Sequence, residues 1–200
     1  MESLEETILF VHRNPLQSIT FKQNNFMPTI RRAVIQDAMA ISLLAAHTFR
    51  ITFKKDFYYL EDLNEYCEQT FSYQKIKRSL SKKENLYFVL IEENQLVGYA
   101  KLKIELSKDS IIQLQKIYLH EAYIGQGFGK LLLQECLLSA KNNGYESVWL
   151  AVLQSNLRSV HFYEKNGFSI EEKMEHRIGR NQFIYHKMVL DLDTLSSVKD

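Results

Sequence analysis

The sequence predicts a mixed α/β fold, a central and mostly antiparallel sheet flanked by helices within a single domain. Three observations carry the prediction. Short β-rich runs come as neighbours around a polar turn, the clearest amphipathic helix stands between two strands, and two last β-runs flank a glycine turn.

The regular pattern begins at Thr29. Thr29 to Val34 reads as a first strand, and Asp37 to about Arg50 as a helix with Ile41, Leu44, Ala45 and Phe49 along one side. Residues 51–84 read as helical in two pieces, broken near Phe71-Ser72. Leu86 to Ile91 and Leu96 to Ile104 form a hairpin around Glu92 to Gln95, and Ile111 to Leu119 is a further strand of mixed polarity. Gly127 to Asn143 is the strongest helix, with Phe128, Leu131, Leu132, Cys136 and Ala140 at helical spacing and Gly144 placed to end it. Ser147 to Leu153 is the continuous apolar run of a centrally buried strand. A short helix from Asn156 to Asn166 closes on Gly167, and the β-runs Ser169 to Ile178 and Gln182 to Leu190 flank Gly179-Arg180-Asn181.

Residues 1–27 carry the polar stretch Lys22-Gln23-Asn24-Asn25 and no sustained period, so they read as an extension ahead of a domain over 28–192, with 193–200 as a tail. Whether the extension adds a strand or a docking arm stays open.

Composition bounds the chemistry. Of 200 residues 46% are hydrophobic and 24% charged, enough apolar matter for a real core. Lysine plus arginine (25) against aspartate plus glutamate (24) leaves a net charge of +1, which gives no electrostatic footprint for nucleic acid. Cys67 and Cys136 are too few for a disulfide framework, and nothing suggests a metal quartet. Runs such as Val148 to Leu153 fall short of the roughly 20 residues that span a bilayer. The acidic start Met1-Glu2-Ser3-Leu4-Glu5-Glu6 is unlike a basic targeting peptide. The expectation is a cytoplasmic protein with neither a membrane nor a nucleic acid as partner; a homodimer stays open.

Gly125, Gly127 and Gly129 fall between a strand and the start of the strongest helix. Glycine lets main chain take positive φ and approach a ligand closely, and the unpaired N–H groups of a helix's first turn attract phosphate. Lys130 adds a cation just inside. A dinucleotide fingerprint needs glycine where Lys130 stands. A P-loop needs Ser or Thr where Leu131 stands. Both fail.

A third pattern fits. Tyr123-Ile124-Gly125-Gln126-Gly127-Phe128-Gly129-Lys130-Leu131-Leu132 resembles the acyl-CoA pyrophosphate loop of the GNAT (GCN5-related) N-acetyltransferases. Asn156-Leu157-Arg158-Ser159-Val160-His161-Phe162-Tyr163 followed by Gly167-Phe168 resembles their second signature, an Asn seven residues before a Tyr. The resemblance covers about residues 29–191. It departs at Ile124, where the family usually places Arg or Gln, which implies weakened polar contacts rather than lost binding. Leu114 to Leu119, with the aromatic-rich 50–60 region, looks most like the PaiA-type branch, which acetylates spermidine and related polyamines.

The resemblance implies a GNAT fold, acetyl-CoA as co-substrate and a small amine as acceptor. It implies acetyl-CoA contacts from Ile117, Tyr118, Leu119, Ile124, Gly125, Gln126, Gly127, Phe128, Gly129, Lys130, Asn156 and Tyr163. The edge of Ile117 to Leu119 would pair with the pantetheine amides like an added strand. The Leu119 backbone N–H would serve as oxyanion donor, and the Tyr163 hydroxyl as general acid for the departing thiolate. Tyr163 also reads as a core ring beside Phe162 and Phe168, and Asn156 as a plain helix N-cap.

An alkylammonium near pKa 10.4 must lose a proton to react, at a cost of about 4.6 kcal/mol at pH 7. Many family members offer a strand glutamate for this, but Gln113 and Gln115 stand here. Water relayed to Tyr118, His120, Glu121 or a carboxylate from residues 56–68 would have to substitute. His47, His161, His176 and His186 lack any partner readable from sequence. The acceptor is expected between residues 47–75 and the last hairpin, where Glu61, Glu65 and Glu68 share helical spacing near Asp56 and Asp62. That acidic stripe suits a polycationic amine, or is simply a solvated helix face. Phe53, Phe57, Tyr58 and Tyr59 would cover amine methylenes or join the core. Two other readings stay open: acetylation of a protein N-terminus or lysine, and a CoA-binding module without turnover.

Overall fold

Seven β-rich segments join one sheet in the computed structural model, which describes residues 28–105 and 110–194. They are β1 (Thr29–Arg32), β2 (Asn85–Glu92), β3 (Gln95–Ile104), β4 (Ile111–Leu119), β5 (Ser147–Leu153), β6 (Ser169–Ile178) and β7 (Asn181–Asp191). Helices α1 (Ala38–Phe53), α2 (Leu60–Phe71) and α3 (Tyr73–Leu80) precede β2, α4 (Phe128–Asn142) joins β4 to β5, and α5 (Leu157–Lys165) joins β5 to β6. The order across the sheet is β1-β2-β3-β4-β5-β7-β6, antiparallel throughout except for the parallel pair β4 and β5. The predicted mixed, mostly antiparallel architecture is the observed one. The predicted extension 1–27 and residues 195–200 of the predicted tail lie outside the described residues.

Boundaries move where side chains intervene. β1 stops at Arg32, short of the predicted Val34, because the Val34 N–H turns to Asp37 Oδ2 (2.7 Å) while Asp37 holds the Arg31 guanidinium at 2.8 and 2.9 Å. α1 runs one turn past Arg50 because Phe53 extends the apolar stripe, its ring 4.5 Å from that of Phe49. α2 and α3 part at Ser72, whose ψ of 148° is extended.

The two-residue period of the strands sorts side chains into two cores. Leu114, Ile117, Leu119, Leu150 and Val152 pack against α4 and against Val160 and Tyr163 of α5. Tyr118, Trp149, Ala151 and Leu153 face the opposite way, toward α1–α3. Full burial of one large apolar side chain stabilises by roughly 1.5–3 kcal/mol, so both helical layers are firmly seated.

One irregularity positions the site. Along β4 the register with β3 slips at Gln115: Lys101 opposes Lys116, yet Leu102 opposes Leu114. This bulge resets the alternation, so that Leu114 and Ile117, three apart, share a face. Beyond it β4 and β5 separate, for their pairing covers only Ile111–Gln113 against Ser147–Trp149.

Candidate active site

The parting of β4 and β5 leaves main chain exposed to a gap. The His120 N–H donates to Val97 O at 2.8 Å, which continues the β3–β4 register. In an antiparallel pair the hydrogen-bonding direction alternates, so His120 and Tyr118 turn toward β3 while Leu119 and Ile117 turn the other way. With no β5 pairing at that level, the polar groups of Ile117 and Leu119 address the gap. On the opposite wall the Gln154 N–H donates to Ile184 O at 2.9 Å, and the same alternation turns Ala151 and Leu153 inward. The Leu153 carbonyl is already taken by the Asn156 N–H at 2.9 Å.

The glycine loop closes one end. A 3₁₀ turn, Glu121–Tyr123, leads into it, and Gly125 and Gly127 adopt φ of 85° and 87°. A Cβ at either would meet nothing within 4 Å, so the left-handed backbone calls for glycine there, and the space beside it is open. Gly127 is the N-cap of α4 and brings no side-chain acceptor to the helix's first N–H groups. Gly125, Gln126, Gly127 and Lys130 are exposed; Gly129 and Phe128 are buried in the helix's packed face. Gln126 donates from Nε2 to Ala122 O at 3.0 Å. Ile124 is buried in the core, and its N–H goes to Glu121 O at 3.3 Å. Its side chain anchors the loop and offers a ligand nothing.

Among the buried polar atoms without a hydrogen-bond partner among the described residues are Tyr163 Oη and Asn156 Nδ2 on and before α5, and Gln115 Oε1 on β4. Tyr163 is fully buried, its ring 5.3 and 5.6 Å from those of Phe162 and Phe168. Burial, and then the neighbouring Cys136, push its hydroxyl well above the ordinary phenol value, so the proton stays on oxygen at neutral pH. Asn156 caps α5 with Oδ1, which accepts the Ser159 N–H at 3.2 Å, while Nδ2 is left over. An orphaned buried donor or acceptor costs about 1–3 kcal/mol. A slender molecule rich in amides, lying along the gap, would satisfy such groups together with the edge amides of β4. The residues therefore fit a pantetheine chain.

No carboxylate stands on β4. Gln113 and Gln115 are buried and joined to each other, Gln115 Nε2 donating to Gln113 Oε1 at 3.4 Å. Burial raises the Glu121 carboxyl, but its own backbone N–H, His47 and His120 together bring it below the ordinary range, which makes it a weak proton acceptor. His176 and His186 are lowered by desolvation. His47, without a partner in the sequence reading, meets Glu121 with Nε2 at 3.0 Å.

The predicted acidic stripe divides. Glu61, Glu65 and Glu68 remain exposed, but Asp62 turns inward. There it accepts the Arg180 N–H at 2.6 Å, Arg180 Nη2 at 2.8 Å and Asn181 Nδ2 at 3.1 Å. Asp56 accepts the Ser155 hydroxyl at 2.9 Å. Asp62 is thus committed to the β6–β7 turn, whereas Asp56 uses one carboxylate oxygen for Ser155. Phe53 and Phe57 belong to the core, while Tyr58 is 87% exposed. Between α2 and the β6–β7 turn lies a cavity of about 360 Å³ lined by Glu65, Tyr66, Gln69 and His176, among others.

A split parallel pair inside a mostly antiparallel sheet, with a glycine loop at the mouth of the following helix, defines an acyl-CoA-dependent transferase. The sequence matches the Acetyltransferase (GNAT) family over residues 47–168, and the chain belongs to that family. It is an N-acetyltransferase of GNAT fold with acetyl-CoA as co-substrate. It is 28% identical over 156 residues to an uncharacterized N-acetyltransferase of Mycobacterium tuberculosis, covering 78% of this chain and 98% of that one. It is 29% identical over 147 residues to the spermidine N(1)-acetyltransferase of Thermoplasma acidophilum, covering 72% of this chain and 89% of that one. Among solved structures, the PaiA N-acetyltransferase of Thermoplasma acidophilum in complex with coenzyme A superposes with a TM-score of 0.69 at 26% identity, covering 83% and 99% of the two chains. No helix among the described residues is long and apolar enough to cross a membrane.

Proposed function

We propose that the chain transfers the acetyl group of acetyl-CoA to a primary amine of a polyamine such as spermidine. The observation that carries the catalytic part is the parting of β4 from β5 beyond Gln113, with Ile117 and Leu119 in the same packed core as Tyr163, whose buried hydroxyl has no hydrogen-bond partner among the described residues. The glycine loop and the first turn of α4 would hold the pyrophosphate, with Lys130 beside it. Asn156 Nδ2 and the β4 edge would hold the pantetheine amides.

Bound there, acetyl-CoA supplies an activated thioester. The Leu119 N–H, fixed by the sheet, is the oxyanion donor, and one such preorganised donor is worth around 3 kcal/mol. Tyr163 keeps its proton at neutral pH and donates it to the departing thiolate sulfur. With amides at Gln113 and Gln115, the acceptor's proton leaves through water. The polyamine assignment is supported by the Thermoplasma relative and by the exposed Glu61, Glu65 and Glu68 on the acceptor side.

The test is thiol release from acetyl-CoA with spermidine, spermine, diamines, amino acids, and peptides bearing a free N-terminus or lysine. Spermidine and spermine should give the highest kcat/KM. Turnover confined to peptides would overturn the polyamine acceptor.

A further inference from the structure

His47 of α1, His120 directly after β4 and Glu121 in the following 3₁₀ turn offer three metal-ligating atoms, all within 4.8 Å of one another. His47 Nε2 stands 3.0 and 3.1 Å from the two carboxylate oxygens of Glu121, and His120 Nδ1 stands 3.7 Å from Oε2. The two imidazoles stack, 5.6 Å between centroids and 18° between planes. The Ala122 N–H donates to His120 Nδ1 at 3.3 Å, which marks Nδ1 as the unprotonated nitrogen and puts the ring proton on Nε2; an ion bound at Nδ1 would replace that long hydrogen bond.

We propose that His47, His120 and Glu121 form a site for a divalent transition ion of the zinc class. Two imidazoles and one carboxylate are a borderline donor set that suits such an ion, water completing its coordination. Ligand edges around a tetrahedral zinc with bonds of about 2.0–2.1 Å are about 3.3 Å, a value that the His47–Glu121 and His120–Glu121 separations of 3.0 and 3.7 Å bracket. The side chains are 46%, 41% and 33% exposed, open enough for an ion to enter from solvent. Their supports are firm, for Ala45, Thr48 and Phe49 around His47 are buried and His120 continues the β3–β4 ladder. The ion would join α1 to the turn that enters the glycine loop. This site is separate from the transferase reading and does not depend on it.

Protein stripped with a chelator is titrated with Zn²⁺ by calorimetry and with Co²⁺ by visible absorption, for the wild type and for His47→Ala, Glu121→Gln and His161→Ala. Wild type and His161→Ala should bind Zn²⁺ saturably, show the strong visible bands of a low-coordinate Co²⁺ and gain Tm with Zn²⁺. His47→Ala and Glu121→Gln should each lose at least the roughly tenfold in affinity that even an outer-sphere change costs, together with the Co²⁺ bands. Absence of saturable binding in the wild type, or wild-type affinity in either ligand variant, overturns the site.

Discussion

Asp62 of α2 accepts the backbone N–H of Arg180 at 2.6 Å and its guanidinium at 2.8 Å, so one carboxylate fixes the turn between β6 and β7. The same turn is held from the other side by Asn181, whose Oδ1 accepts the Tyr58 and Tyr59 N–H groups at 2.8 and 3.1 Å. Arg180 also lies 3.9 Å over the Tyr59 ring. The α1–α2 connection and α2 are thus clamped to the last hairpin by polar contacts across more than a hundred residues, beside the cavity that α2 and the β6–β7 turn line.

Asp62→Ala should lower Tm and, if the proposed acceptor side is the α2–hairpin cavity, raise the amine KM while leaving the acetyl-CoA KM unchanged, because the clamp lies away from the glycine loop. The Arg180 hydrogen bond holds the Asp62 carboxyl below its ordinary value. A depressed folded-state value stabilises above the unfolded carboxyl value of about 3.9, and that contribution is lost as pH falls through the folded value. Thermal melts of wild type and Asp62→Asn between neutral and acid pH check it: the gap between them should narrow toward low pH.

Tyr163→Phe should lower kcat about 10²-fold or more, the usual worth of a positioned proton donor, with little change in acetyl-CoA affinity. Stability should stay level or rise by about 1 kcal/mol, since the lost hydroxyl is buried without a hydrogen-bond partner among the described residues. Melting curves and steady-state kinetics on the same preparation separate an acid from a core ring, because a core role alone leaves kcat intact.

Gly127→Glu puts a side chain into the left-handed region at the mouth of α4 and an anion where the pyrophosphate would lie. Backbone strain of about 1–2 kcal/mol is expected. Acetyl-CoA affinity measured by calorimetry should fall at least about tenfold, or about 1.4 kcal/mol. Lys130→Ala, which leaves the backbone alone, should weaken binding less.

Gly98→Ala tests how the sheet supports the edge amides. A Cβ at Gly98 would stand 2.9 Å from Leu119 Cδ1, 3.0 Å from Leu132 Cδ1 and 3.1 Å from the Tyr118 carbonyl oxygen. Overpacking there costs about 1–3 kcal/mol and presses on Leu119. The expected outcome is a lower Tm and a lower kcat, read in the same melts and assays.

The order of strands and helices, the break near Ser72, the glycine turn ahead of α4 and the capping asparagine of α5 were all legible in the residues alone. Each of these rests on rules that act within a few residues, such as apolar period, positive φ at Gly125 and Gly127, and a side chain reaching the next turn. Long-range packing alone put Gln115 out of register, parted β4 from β5 beyond Gln113, and left the Tyr163 hydroxyl without a hydrogen-bond partner among the described residues. It likewise turned Asp62 away from its acidic neighbours toward Arg180 and brought His47 to Glu121, 74 residues further along. Such contacts depend on how whole layers pack. Composition and spacing carry no signal for which side chain meets another once helix and sheet close upon each other.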